Sequence, residues 1–134
     1  MTKYLLDVNV LVALALSEHE FHTSVAMWLR ALHSDDGLMT CAITELGFVR
    51  VLTQLSQSEL SIAGAKALLL QVKSGGKLKF AFLKDDHDAS QLPGWVKTPK
   101  QTTDGHLAQL AKAHGATLAT LDRSIPGTFL IPPK

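Results

Sequence analysis

Short apolar runs alternate along the chain with longer segments in which apolar residues recur every three or four positions. The runs at residues 4–6, 38–41, 78–83 and 116–121 are too short for helices and are bounded by polar residues or glycine, which predicts buried strands. Residues 8–16 are apolar on most sides and predict a helix beginning near Asn9. Phe21, Val25, Trp28, Leu29 and Leu32 keep helical spacing and predict an amphipathic second helix that ends before the polar residues 34–37. Ile43, Leu46, Val49 and Leu52 predict a third helix from about Ala42. Residues 60–72, rich in Ala and Leu, predict a fourth, after a break at 56–58 and closed by Ser74-Gly75-Gly76. Residues 84–101 hold Pro93-Gly94 and Pro99 and are long for a structureless connection, so a short helix is expected around 86–92. Residues 128–131 read as a last edge strand before Pro132-Pro133. Strands alternating with helices predict an α/β fold, a three-layer α/β/α sandwich around a mainly parallel sheet.

Residues 102–122 make one helix–strand unit with an acid at each end. Thr103 is placed to cap the helix, leaving Asp104 in the first turn, where the helix dipole favours a carboxylate. Leu107, Leu110, Ala111 and His114 continue the helical spacing, and Gly115 stands where a helix ends. The strand that follows delivers Asp122.

Composition narrows the options. At 134 residues, 46% hydrophobic and with a mean hydropathy of +0.15, the chain is expected to fold as one domain spanning residues 1–134. A net charge of +1 excludes bulk electrostatic gripping of nucleic acid, though not a site made positive by bound metal. One cysteine, Cys41, builds no intramolecular disulfide and no zinc spacing, which fits a reducing, cytoplasmic compartment. Lys3 and the apolar residues after it resemble a short signal peptide, but Asp7 and Asn9 interrupt them and the run is too short to cross a bilayer. No membrane association is expected.

Four carboxylates share one topological description. Asp7 ends the first strand, Glu45 lies in the first turn of the helix after the second, Asp104 opens the helix before the fourth, and Asp122 ends that strand. In a parallel sheet all four reach the carboxyl edge, where open α/β folds bind ligands. Each would raise the pKa of the others unless a cation neutralised them. An oxygen-only donor set suits a hard ion, Mg²⁺ or Mn²⁺. Asn9 adds an amide beside Asp7. Taken singly, each acid is an ordinary cap or turn residue, and Asp104 has a sufficient helix-dipole explanation; Asp7, between apolar runs, is the hardest to read that way.

The segments Leu5-Leu6-Asp7-Val8-Asn9-Val10-Leu11, Thr44-Glu45-Leu46, Thr103-Asp104 and Ala119-Thr120-Leu121-Asp122-Arg123 resemble, in order and spacing, the motifs of the PIN domain, and most of all those of VapC-type toxins of bacterial toxin–antitoxin pairs. The resemblance spans nearly the whole chain. It implies a PIN-like sandwich and a Mg²⁺- or Mn²⁺-dependent endoribonuclease with Asp7, Glu45, Asp104 and Asp122 as catalytic, metal-binding acids. Asn9, Thr120 and Arg123 would support them, Arg123 as the cation best placed to meet phosphate. It also implies an RNA substrate, an antitoxin that occludes the site, and a homodimer, with the apolar helix faces on either side of residue 56 as expected contact surfaces. The chain departs from the family's usual pattern at Gly105, Leu121 and Ser124-Ile125-Pro126-Gly127.

Two other readings stand beside this one. An aspartate-nucleophile phosphatase would use Asp7 but wants a second aspartate where Asn9 stands. A catalytically silent α/β binding or regulatory module would have no need of all four acids. Elsewhere, His19 and His22 read as a surface pair, Asp85, Asp86, His87 and Asp88 as a solvated helix start, Trp28 as core, and Trp95 as an anchor for its loop.

Overall fold

A computed structural model describes residues 1–55 and 59–133. The expected break at 56–58 lies outside the described residues. Five strands, β1 (Lys3–Leu6), β2 (Gly37–Cys41), β3 (Phe80–Leu83), β4 (Thr117–Thr120) and β5 (Phe129–Leu130), pair in the order β3-β2-β1-β4-β5, every pair parallel. Helices α1 (Val8–Ala15), α2 (His22–Ala31), α3 (Ala42–Gln54), α4 (Ile62–Ser74) and α5 (Thr102–Ala113) connect them. The α/β sandwich expected from the alternation of elements is the fold observed.

Adjacent residues of the central strands point to opposite faces, which sets the layers. Leu6, Leu38 and Ala119 join a core with Val10, Phe48, Leu52, Trp28 and Leu69, so α1 to α4 cover one face. Leu5, Met39, Cys41 and Leu118 join Leu107, Leu110 and Ala111 of α5 on the other. Burial on both faces explains why β1, β2 and β4 read as plain apolar runs with no polar alternation.

The strand order carries the functional consequence. From β1 the chain builds outward through β2 to β3, then returns to the other side of β1 for β4 and β5. The connections after β1 and β4 therefore leave adjacent strands in opposite directions. The carboxyl ends of such a pair open a crevice. Asp7 lies at the end of one strand and Asp122 just past the end of the other.

Several boundaries differ from expectation. Thr103 is not a cap: α5 begins at Thr102 and grows from a 3₁₀ turn at Pro99–Gln101. There Thr98 and Gln101 form a capping box, and the Gln101 side-chain oxygen accepts from the Lys97 and Thr98 N–H groups at 2.7 and 3.1 Å. A helix already begun by the preceding turn needs no side-chain cap of its own. The short helix expected around 86–92 is a single 3₁₀ turn at Ala89–Gln91, capped by Asp88. Gly115 ends α5 as expected, at φ 68°, and the Gly115 and Ala116 N–H groups reach back to the Lys112 and Ala111 carbonyls.

Candidate active site

Asp7 is placed by both its neighbours in sequence and its neighbour strand. Its backbone N–H extends the sheet to the Ala119 carbonyl at 2.9 Å, and its side chain caps α1 by accepting from Val8 N–H at 2.9 Å. The other carboxylate oxygen accepts from the Thr120 hydroxyl at 2.8 Å. Only 7% of Asp7 is exposed. Burial pushes its carboxyl above the ordinary range, the Thr120 and Val8 hydrogen bonds pull it back, and the nearby charge of Asp122 pushes it up again.

Thr120, fully buried, is the hub of this corner. Its hydroxyl donates to Asp7 and accepts from Asn9 Nδ2 at 3.3 Å and from Asp122 N–H at 3.0 Å. One donor and two acceptor sites are all that a threonine hydroxyl has. Asn9 closes the circuit by accepting from Leu121 N–H at 3.2 Å. Its amide thus ties α1 to the end of β4, and both its oxygen and its nitrogen are engaged.

Asp104, in the first turn of α5, is half-buried. Its carboxyl lies above the ordinary range because of burial, then Asp7, then Asp122. Asp122 sits at the rim, held by Ser124 N–H and the Ser124 hydroxyl at 2.9 and 2.7 Å, and these bonds keep its carboxyl low. The three aspartates line one cleft of about 340 Å³, together with Val8, Asn9, Val12, Val51 and His19. No lysine or arginine lines it among the described residues. Another cavity, of about 350 Å³ between α2, the end of α4 and β3, is walled by Leu29, Leu38, Val72, Leu78 and Phe80 and holds no acid.

Glu45 stands apart. Buried Thr44 accepts from Cys41 N–H at 3.0 Å and starts α3, which places Glu45 in the first turn. Its carboxylate then accepts from the Thr40 hydroxyl at 2.6 Å and pairs with Lys73 of α4 at 2.7 Å. It does not line the cleft of the three aspartates. Arg123 is exposed and lines a different groove, with Phe21, Leu121, Leu130 and Ile131. Among the described residues, no group of three or more His, Cys, Asp and Glu side chains is arranged to hold a metal ion. In chemistry the aspartate cleft still fits a hard cation: the acids offer oxygen alone, two of them are raised by burial and mutual repulsion, and no cationic side chain offsets them.

The structure also brings in residues that spacing alone did not single out. His19 and His22 are not a surface pair. His22 opens α2 with Nδ1 at 2.8 Å from the Ala13 carbonyl, whereas His19 lies in the connection before it and lines the aspartate cleft. That connection has no periodicity to show where its side chains go. Asp85 is likewise more than a solvated residue, since it pairs with His106 of α5 at 2.5 Å. Trp28 is core, and Trp95 packs its loop against the face covered by α5, as expected.

A family model described as "PIN domain" matches residues 4–128. Ribonuclease VapC38 of Mycobacterium tuberculosis is 38% identical over 127 residues, covering 90% of this chain and 86% of the relative. Ribonuclease VapC29 of the same organism is 38% identical over 121 residues at the same coverage. The chain belongs to the PIN-domain family, in its VapC branch. Among solved structures, VapBC2 from Rickettsia felis, bound to a DNA fragment from its promoter, matches with a TM-score of 0.66 at 16% identity, covering 96% of this chain and 97% of that one. FitAcB from Neisseria gonorrhoeae matches with a TM-score of 0.61 at 20% identity, covering 97% of each chain. At those identities the likeness is one of fold.

Proposed function

We propose that this protein is a metal-dependent endoribonuclease and the toxin of a toxin–antitoxin pair. The observation that carries the reading is the convergence of Asp7, Asp104 and Asp122, from three separate segments, on one cleft at the switch point of the sheet. Relatives 38% identical over nearly the whole chain are named ribonucleases, which supports RNA as the substrate.

Asp7, Asp104 and Asp122 would hold Mg²⁺ or Mn²⁺, with Glu45 joining them from the first turn of α3 once released from Lys73. When bound, such an ion lowers the pKa of a coordinated water and neutralises phosphate charge. The chain's own part is positional. Thr120 fixes one oxygen of Asp7 and Val8 N–H the other, so the carboxylate keeps one orientation whatever occupies the cleft. Among the described residues no hydrogen bond holds the Asp104 carboxylate, which leaves it available to a cation. Val8, Val12 and Val51 give the cleft a partly apolar wall that limits water. Arg123, in its separate groove, would meet the RNA strand outside the cleft.

The remaining expectations follow from the same reading. Leu46 on α3, Leu55 just after it, and Ile62 and Leu70 on α4 are 43–70% exposed and offer apolar surface on either side of residue 56 for an antitoxin or a second copy. Membership of the VapC branch supports an antitoxin partner, and the fold likeness to VapBC2 agrees with it. No helix among the described residues is long and apolar enough to cross a membrane, and the cytoplasm is the proposed compartment. The test is incubation of the purified protein with tRNA, rRNA and mRNA, with and without Mg²⁺ or Mn²⁺, beside Asp7→Asn. Cleavage that needs the ion and disappears in a folded Asp7→Asn variant is the expected result. Full activity in that variant would overturn the assignment.

A further inference from the structure

Building on the ribonuclease reading, we propose that His19 is a substrate-binding residue that donates a hydrogen bond to a backbone phosphate of the RNA as the strand enters the aspartate cleft. The first support is the hydrogen bond inside its own turn. Phe21 N–H donates to His19 Nδ1 at 3.1 Å. A ring nitrogen that accepts from an N–H carries no proton, so in this arrangement the proton sits on Nε2. The tautomer is set by the turn, and the turn presents a donor.

The second support is the inventory of the cleft. A phosphodiester brings non-bridging oxygens that only accept. The three aspartates offer further acceptors, and Val8, Val12 and Val51 offer no side-chain donor. Asn9 has one amide N–H on Thr120 and its oxygen on Leu121 N–H, which leaves one amide N–H. Among the described lining residues, the side-chain donors left for an incoming phosphate are His19 Nε2–H and the second Asn9 amide N–H, and the Asn9 amide is tied to the end of β4 through both its oxygen and its nitrogen.

The third support is position. His19 lines both the aspartate cleft and an adjoining groove formed by Ala15, Leu16, Ser17 and Glu18. It is the lining residue that the two share. A strand that runs from groove to cleft would pass this ring.

Two substitutions separate this role from a structural one. His19→Asn can keep an acceptor near the Nδ1 position for Phe21 N–H but loses the reach of Nε2. His19→Gln places an amide N–H near the Nε2 position. The measurements are KM and kcat for RNA cleavage in Mg²⁺, thermal melting, and anisotropy of a fluorescein-labelled RNA in an Asp7→Asn background that silences cleavage. A hydrogen bond to a charged oxygen predicts that His19→Asn weakens RNA binding about tenfold or more. The loss should appear in KM more than in kcat and in the anisotropy titration, with the melting temperature kept. His19→Gln should recover most of the affinity. Unchanged KM and RNA affinity in His19→Asn would overturn the proposal while leaving the ribonuclease reading intact, as would equal losses of melting temperature in both variants. A wild-type protein that neither binds nor cleaves RNA would overturn the ribonuclease reading and this inference with it.

Discussion

Gly105 follows the candidate ligand Asp104 at the start of α5, where glycine weakens a helix, so Gly105→Ala would ordinarily stabilise by up to about 1 kcal/mol. The structure predicts the opposite. A Cβ built on Gly105 would lie 2.2 Å from Val96 Cγ2 and 3.4 Å from Pro93 Cδ. Carbon atoms rest at about 3.5–4.0 Å, so the methyl arrives more than about 1 Å too close. Val96 has little freedom to turn away, because its side chain is branched at Cβ and its N–H is held by the Pro93 carbonyl at 3.1 Å. Overpacking of this kind costs about 1–3 kcal/mol, which exceeds the gain in helix propensity. The net expectation is a destabilisation of about 1–2 kcal/mol, a melting temperature lower by roughly 4–7 °C for a chain of this length. Val96→Ala removes the obstructing methyls, and in that background Gly105→Ala should become neutral or stabilising. Urea unfolding of the wild type, the two single variants and the double variant gives the coupling. A stabilising Gly105→Ala, or effects that add within about 0.5 kcal/mol, would refute the packing of the 84–101 loop on the first turn of α5.

Two further outcomes follow from the same geometry. Thr120→Val keeps the shape of the side chain but leaves a buried Asp7 oxygen without its donor and two N–H groups without their acceptor; chemical denaturation should show a loss of about 2–3 kcal/mol, with Thr120→Ser much milder. The metal-free protein should also depend on pH through Asp7 and Asp104. Both carboxyls titrate above their ordinary value in the folded state, so the native form binds more protons than the unfolded form and stability falls as pH rises through that range. In EDTA, Asp104→Asn should therefore be more stable than wild type at pH 7, and the advantage should shrink as pH falls through the raised range toward the ordinary carboxylate value. An advantage that grew on acidification would contradict the repulsion assigned to Asp104.

What sequence could show here depended on whether a residue sat in a regular element. Asp7, Asp104 and Asp122 occupy strand ends and a helix start, and periodicity places those, so their convergence was legible once the sheet was read as parallel. Gly115 was legible as a helix stop because only its position after the last apolar repeat mattered. The relation of Glu45 to Lys73 was not, since 28 residues and a helix packing angle separate the partners. His19 lies in a short connection without a repeat, and the reason for glycine at 105 lies in Val96 and Pro93 of the loop that fills the space above it. The Thr103 cap failed for a related reason: the 3₁₀ turn at Pro99–Gln101 feeds directly into α5, and proline in a loop marks a turn without fixing where the next helix takes over.

In the proposed function the acids at the switch point hold a divalent cation. Calorimetric titration of Mn²⁺ into the RNA-free protein tests it most directly, with Asp7→Asn, Asp104→Asn and Glu45→Gln beside the wild type. The wild type should bind Mn²⁺ saturably, with a loss of at least about tenfold in each aspartate variant, since even outer-shell partners of a metal contribute that much. The Glu45→Gln titration reads whether that acid leaves Lys73 to join the site. Absence of saturable heat in the wild type, or equal binding in Asp7→Asn and Asp104→Asn, would contradict a cation site at these acids.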